Sequence, residues 1–317
     1  MDDRQGARDI NFPEDFSGNI KGTLSILPFL LSEKSSESRT MTPSPLRVFS
    51  RHLAKLLLKP DYRKKYFIFK DLQNHPRYER IEVQLQNQTI QLVDAASFRF
   101  MYEEIFENQI YRFKADRDNP RIIDGGANIG LSILYFKGLY PNAEIIAFEP
   151  DEKVFQVLER NIKNSPNPHS IFLIQKALWN EETTLSFNAE GADAGRINQD
   201  FQTPQSLQIS TVRLRSYLEE FTDFLKIDIE GAELEVIQDC QDLLCNVQHL
   251  FIEYHSFLGK PQQLSKLLDI ISNAGFRYYL HPSVNSPQPL YQINTYEGMD
   301  SQVNIFAYRQ DSGVKIL

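Results

Sequence analysis

The sequence has little cysteine: two in 317 residues, Cys240 and Cys245. They lie five apart in one helix-like segment, on different faces. That spacing favours neither a disulfide nor a metal pair. Nor is there an excess of basic charge. Lys and Arg total 34 against 42 Asp and Glu, for a net charge of −8. Binding to a polynucleotide by counterion release needs a basic field, so a nucleic-acid partner is not expected. The sequence also lacks a long apolar run. "LSILPFLL" near the N-terminus is too short to span a bilayer and contains Pro28. The first residues, "MDDRQGARDINFPEDFSG", show no basic start followed by an apolar stretch, as a signal peptide would. The expectation is a cytoplasmic protein, and the "NQT" glycosylation match at Asn87 reads as chance. No internal repeat is visible.

What is there is the composition of an ordinary soluble globular chain, 41% hydrophobic and 24% charged. The length allows one large or two small domains with a sizeable core. An acidic enzyme acting on a neutral small molecule or glycan fits this balance. Residues 1–45 are rich in Ser, Thr, Pro and acidic residues and read as a flexible segment. Residues 46–110 read as an extension made of a basic helix, whose charges suit a solvated face, and a β-hairpin. The hairpin is "IEVQLQNQTIQLVD", which alternates apolar and polar residues. A short helix and lead-in, "SFRFMYEEIFENQIYRF", follow. From residue 111 to 317 the chain reads as one α/β domain. Strands such as "RIID", "AEIIAFEP", "SIFLIQKAL", "FLKIDIE", "HLFIEYH", "FRYYLH" and "VNIFAYR" alternate with helical stretches. That alternation predicts a largely parallel sheet covered by helices on both faces.

The glycine-rich turn "DGGANIG", residues 124–130, follows the first of these strands. Ligands of open α/β sheets sit outside the carboxyl ends of the strands. Glycines let the backbone approach a ligand, and the helix start near Asn128 or Ile129 offers free N–H groups. Glu149 ends the next strand, 25 positions after Asp124, where an acidic side chain can accept from ribose hydroxyls. The spacing D-x-G-x-N-x-G differs from the G-x-G-x-x-G of dinucleotide sites. Asp124 puts negative charge at the turn, unfavourable for pyrophosphate and suited to an ammonium group. An adenosine joined to an amino acid, S-adenosylmethionine, meets both conditions.

"FLKIDIEGAELEVI" carries Lys226, Asp228 and Glu230 on alternate positions of an otherwise apolar strand, and the next strand ends in Glu253 and His255. Charges in a central parallel strand are costly unless they pair or face a cleft. Neighbouring strands would let Lys226 pair with Glu253 while Asp228 and His255 reach the cleft. A purely structural ion-pair network remains the alternative.

Taken in order, "IIDGGANIGLS", "AFEPD", "KALWNEE", "LKIDIEGAELEVI" and "FIEYH" resemble the FkbM-type family of S-adenosylmethionine-dependent methyltransferases. The resemblance covers about residues 100–310. It implies the class I methyltransferase (Rossmann-like) fold, a seven-stranded sheet whose last strand is antiparallel. It also implies transfer of a methyl group to a hydroxyl of a sugar, glycan or other natural product. By position, Asp124, Gly126, Asn128 and Gly130 would line the methionine part of the cofactor. Glu149 would hold the ribose, the segment around Ala177 would meet the adenine, and Asp228 would lie near the transferable methyl. Gly125 departs from the family, where an apolar residue is more frequent; it should loosen the strand end.

A neutral sugar hydroxyl is a poor nucleophile, so a general base within reach is expected. His255 is the first candidate because its ordinary pKa is near working pH, although a strand-end core histidine is about as common. Asp228 and Glu253 follow. A divalent cation held by those carboxylates is an alternative, but no spacing specifies a metal, and none is expected. His52, His75, His169, His249 and His281 read as structural or exposed, in loops, on the N-terminal helix or, for His249, at a strand start. The polar stretch "NAEGADAGRINQDFQTPQS" reads as a solvent loop or a lid. Two other classes stay open. A nicotinamide oxidoreductase would want the phosphate-binding glycines that Asn128 replaces. A non-catalytic nucleoside-binding protein would show damaged cofactor positions, and these are intact.

Overall fold

The computed structural model describes residues 68–310, apart from 71, 86–87, 164, 166–167, 189–195, 198–206 and 285. The flexible segment, the basic helix, His52, Asn87 and most of the lid candidate lie outside the described residues.

The hairpin forms as the alternation predicts. Strands β1 (Ile81–Leu85) and β2 (Gln88–Leu92) pair antiparallel, with Val83 opposite Ile90. Helix α1 (Ala95–Tyr102) starts at Asp94, whose carboxylate accepts from the Ser97 amide at 3.2 Å. It runs on into a single π-helical turn, Glu103–Glu107, closed by Asn108 N–H donating to Glu103 O at 2.9 Å.

The larger part alternates strands and helices. In chain order these are β3 (Arg121–Gly125), α2 (Leu131–Leu139), β4 (Glu144–Phe148), α3 (Glu152–Lys163), β5 (Ile171–Ile174), β6 (Ala177–Trp179), β7 (Thr184–Asn188), β8 (Arg196–Ile197) and β9 (Leu207–Arg213). They continue with β10 (Thr222–Ile227), α4 (Glu233–Asp239), β11 (Val247–Phe257), α5 (Leu264–Asn273), β12 (Arg277–Val284) and β13 (Met299–Tyr308). Seven strands form one sheet in the order β12-β13-β11-β10-β3-β4-β5. Within it β13 alone is antiparallel to its neighbours.

Over β3, β4, β10 and β11 both faces of the sheet are buried and mostly apolar, as a covered parallel sheet requires, while the edge strand β12 is exposed. Successive residues alternate between two cores. Ile122, Phe224 and Phe251 join the core under α1, α2 and α3, and this core also takes in Val83, Leu85, Ile90 and Leu92 of the hairpin. Ile123, Leu225 and Ile252 join the core under α4 and α5. The strand order reverses between β3 and β10, which leaves a crevice at their carboxyl ends.

Four local readings differ. "SIFLIQKAL" is two strands, because the chain breaks after Ile174 and β6 leaves the large sheet. β6 joins a four-stranded sheet, β6-β9-β7-β8, that periodicity did not reveal. The strands of this sheet are short, and β7 and β9 carry polar residues throughout. The cysteines do not share a helix: α4 ends at Asp239, Cys240 is buried and Cys245 is exposed on a 3-10 turn. His281 lies within β12 rather than in a loop. Gly125 does not loosen its strand end, because the Leu178 side chain fills the space beside it, 2.7 Å from where a Cβ would stand.

Candidate active site

A cavity of about 560 Å³ opens at the carboxyl ends of β3, β4, β10 and β11. That is room for a nucleoside joined to an amino acid, with space beyond it for part of an acceptor. It is lined by Gly126, Asn128, Phe148, Glu149, Asp151, Ala177 and Leu178, and also by Glu104, Asp228, Glu253, Tyr296, Met299 and Gln302.

The glycine turn is shaped by its own backbone. Gly126 has φ +80° and passes so close to β10 that a Cβ there would lie 1.8 Å from Asp228 O. Asn128 (φ 49°) and Gly130 (φ 91°) are also left-handed, which delays α2 to Leu131, past the expected start near Asn128 or Ile129. Gly126→Ala is therefore expected to displace the turn after β10, lower the melting temperature and abolish cofactor binding. A variant that melts and binds like the wild type in calorimetry would refute this packing. The amides of the turn are not free for an anion. Gly126 N and Ala127 N donate to Phe148 O at 3.0 and 2.9 Å, and Asn128 N donates to Glu149 Oε2 at 3.0 Å. A pyrophosphate would find these donors already used.

Glu149 ends β4 and is 8% exposed. Its second oxygen accepts from Asp151 N at 2.9 Å. Burial pushes its pKa up to about 7, against the pull of those amides. A buried carboxylate with lone pairs left over, facing a cavity, suits a ligand bearing hydroxyl donors.

Asp124 does not reach the cavity. It is fully buried beneath it, Oδ2 accepting from Ser132 Oγ at 2.5 Å and Oδ1 standing 3.3 Å from Lys226 Nζ. Gly130 does not line the cavity either; it packs against Leu158 and Ile162 of α3. Lys226 is held differently from the expected pairing with Glu253. Its Nζ lies 3.2 Å from Asp228 Oδ2 and donates to Gly126 O at 2.7 Å and Gly125 O at 3.2 Å. The β3 side offers the ammonium two carbonyls and Asp124, whereas Glu253 is engaged with Asp228. Burial alone would lower the Lys226 pKa; the Asp228 and Asp124 charges outweigh it and hold it above the ordinary value. The ion-pair network thus ties the glycine turn to β10, while two of its members, Lys226 and Asp228, also line the cavity.

Asp228, Glu253 and His255 do come together, with potential ligand atoms all within 4.8 Å of one another. β10 ends at Ile227, beside Ile252 of β11, so Asp228 emerges next to Glu253. Burial pushes the Asp228 carboxyl up, but Lys226 and then His255 outweigh it and keep it below the usual range. Burial, then the Asp228 charge, pushes Glu253 well up, so Glu253 keeps its proton and donates to Asp228. His255 does not line the cavity. Its Nδ1 is 2.9 Å from Glu233 Oε1 and its Nε2 3.6 Å from Glu230 Oε2. Burial opposes its charge, but Glu230 and Glu233 outweigh burial and raise its pKa well above the ordinary value. It is an imidazolium walled in by carboxylates, not a free base. This departs from the sequence expectation because Glu233, on the first turn of α4, points back under the site.

Sequence reasoning missed Glu104, on the π-helical turn, and Tyr111, buried below Asp228 and Glu253. Glu104 falls in the stretch read only as a short helix and lead-in; the wider turn marks it out.

A doubly wound sheet with a cavity at this crevice and a buried acid at the end of β4 facing it is compatible with an S-adenosylmethionine-dependent methyltransferase, and the comparisons with known proteins show that class. Residues 124–278 match the family model "Methyltransferase FkbM domain". The chain is 31% identical over 212 residues to "Methyltransferase sdnD" of Sordaria araneosa, covering 54% of this chain and 80% of that one. It is 26% identical over 149 residues to "Hexuronic acid methyltransferase AglP" of Haloferax volcanii, covering 46% and 59%. A crystal structure of Methyltransferase FkbM from Methylobacillus flagellatus KT aligns with TM-score 0.42 and 16% identity, over 83% of this chain and 71% of that one. The protein belongs to the FkbM methyltransferase family. No helix among the described residues is long and apolar enough to cross a membrane.

Proposed function

We propose that the protein moves the methyl group of S-adenosylmethionine to a hydroxyl oxygen of a sugar, glycan or other natural product. The carrying observation is the continuity of one cavity from Glu149 to the Asp228–Glu253 pair. It has a nucleoside-binding end and an acid-lined acceptor end. The sugar substrate printed in the name of the Haloferax volcanii relative supports a hydroxylated acceptor.

Glu149 accepts from the ribose hydroxyls, Phe148, Ala177 and Leu178 flank the base, and Gly126 and Asn128 border the methionine portion. Asp124 and Gly130, away from the cavity wall, set the shape of the turn. The cofactor supplies a methyl on a sulfonium, already a good leaving group, so the protein's part is alignment and removal of the acceptor proton. Ionised Asp228, held by Lys226, accepts a hydrogen bond from Glu253 and orients the acceptor hydroxyl with it. His255 fixes the acids beneath. No metal enters this reading, since Lys226 already neutralises Asp228. Arg77 and residues of α1 and its π-helical turn, Phe100, Met101 and Glu104 among them, line the cavity beside Asp228.

The test is incubation with methyl-13C-labelled S-adenosylmethionine and a metabolite extract of the source organism, followed by NMR of the labelled product. A methyl carbon bonded to oxygen is expected; one bonded to nitrogen or carbon overturns the reading.

Cofactor affinity should also depend on pH. Glu149 holds its proton up to about pH 7 in the free protein, while hydroxyl donors favour its ionised form. Affinity is therefore expected to rise with pH to a plateau above about 7, and to fall by up to about tenfold per unit below it. Without ligand the sign is opposite. The raised pKa favours the fold below the ordinary value of 4.5, and that contribution is lost as pH rises through about 7. Titration calorimetry across this range checks the first statement, and Glu149→Gln should flatten it.

A further inference from the structure

We propose that Glu104, on the π-helical turn that precedes the family-matched residues, takes the proton from the acceptor hydroxyl. The proposal rests on the O-methyl transfer reading and adds a catalytic residue from outside the region that defines the family.

The other acids of the cavity are committed. Asp228 is 3.2 Å from Lys226 and accepts from Glu253, which leaves it ionised and weakly basic. Glu253 already carries a proton. Glu230 stands 3.6 Å from the His255 imidazolium, which itself lies off the cavity wall. Glu149 accepts from two backbone amides, Asp151 accepts from the amides of Lys153 and Val154, and Glu297 is engaged as well. Glu104 lines the same cavity and is partly exposed, and its carboxylate is engaged by no hydrogen bond or ion pair among the described residues. A general base needs a free carboxylate whose proton affinity lies near working pH. Burial, then the Asp228 charge, then Glu103 bring Glu104 to about 7. The same Asp228 that orients the hydroxyl therefore also poises the group that deprotonates it. The π turn is the local device: it breaks the regular spacing of α1, and such turns recur at functional sites.

In the step, the acceptor O–H bond breaks and its proton goes to the Glu104 carboxylate. An oxygen electron pair forms the new bond to the methyl carbon. The carbon–sulfur bond breaks, and its electron pair stays on sulfur, leaving a neutral thioether. Glu104 then returns its proton to solvent through its exposed side.

The test is label transfer from S-adenosylmethionine at saturation, with the acceptor fraction of the extract, across pH, for wild type, Glu104→Gln and Glu104→Asp. Saturation keeps Glu149 ionised, so a limb in kcat belongs to the loaded enzyme. Wild-type kcat should rise with pH to a plateau above about 7. Glu104→Gln should lower kcat roughly 10²–10⁴-fold and erase that limb, with KM, cofactor affinity and melting temperature unchanged. Glu104→Asp should restore part of the rate. A Glu104→Gln enzyme that keeps the wild-type rate and pH limb overturns this proposal and leaves the transferase reading intact. Cofactor binding without any label transfer by the wild type overturns both.

Discussion

Lys226→Met is expected to cost about 3–5 kcal/mol of folding stability, the range for breaking a buried ion pair from one side. Lys226 is 2% exposed, and its ammonium is the common partner of Asp124, Asp228, Gly125 O and Gly126 O. Its Nζ also lies 5.9 Å from the Tyr111 ring centroid. Methionine fills the volume but returns none of those contacts. Asp124 would keep only Ser132, in a fully buried place. The deficit should shrink in acid. Asp228 has a depressed pKa in the fold, so the stability from its pairing is present above the ordinary carboxylate value and disappears as pH falls through the folded one. Urea unfolding at neutral pH and in acid measures both effects. A loss of about 1 kcal/mol or less at neutral pH would mean that the network behaves like a surface ion pair, and its role in holding the glycine turn would be wrong.

Glu149→Ala is expected to weaken S-adenosylmethionine binding by one to two powers of ten. A hydrogen bond to a charged group contributes about 1.5–3 kcal/mol, and the Glu149 carboxylate is buried on the cavity wall with lone pairs left over. The variant also strands the amides of Asn128 and Asp151, which now donate to Glu149. Part of the loss will therefore come from a looser turn. Glu149→Gln separates the two contributions, because it can still accept from an amide but lacks the charge. Calorimetry should show no heat with NAD for wild type or variants, since the turn's amides are used within the protein. Unchanged S-adenosylmethionine affinity in Glu149→Ala would remove the residue from the nucleoside site.

Much of the sheet could be read from periodicity, and the reason is burial on both faces. Ile122 and Ile123, or Leu250 and Phe251, enter opposite cores, so apolar runs mark strands directly. The place of Glu149 on the cavity wall could also be read, because an acid that directly follows an apolar strand of such a sheet stands at its carboxyl end. Side-chain destinations were less legible. Asp124 looked like a ligand contact and is a buried partner of Lys226 and Ser132. His255 looked like a base and is an imidazolium held by Glu233, a residue 22 positions away whose direction depends on how α4 leaves its turn. Glu104 was invisible, since a π turn differs from an α turn by one residue and sequence spacing carries no trace of it. The small sheet of β6, β7, β8 and β9 escaped because its strands are short and polar.

The central claim is that one cavity holds the nucleoside at Glu149 and presents its methyl toward Asp228 and Glu253. A crystal structure with bound S-adenosylhomocysteine tests it most directly. The account predicts both ribose hydroxyls within hydrogen-bond distance of the Glu149 carboxylate, the base between Phe148 and Leu178, and the sulfur turned toward Asp228, with Glu104 lining the space beyond. A ribose held elsewhere, or a sulfur turned away from the Asp228–Glu253 pair, would contradict it.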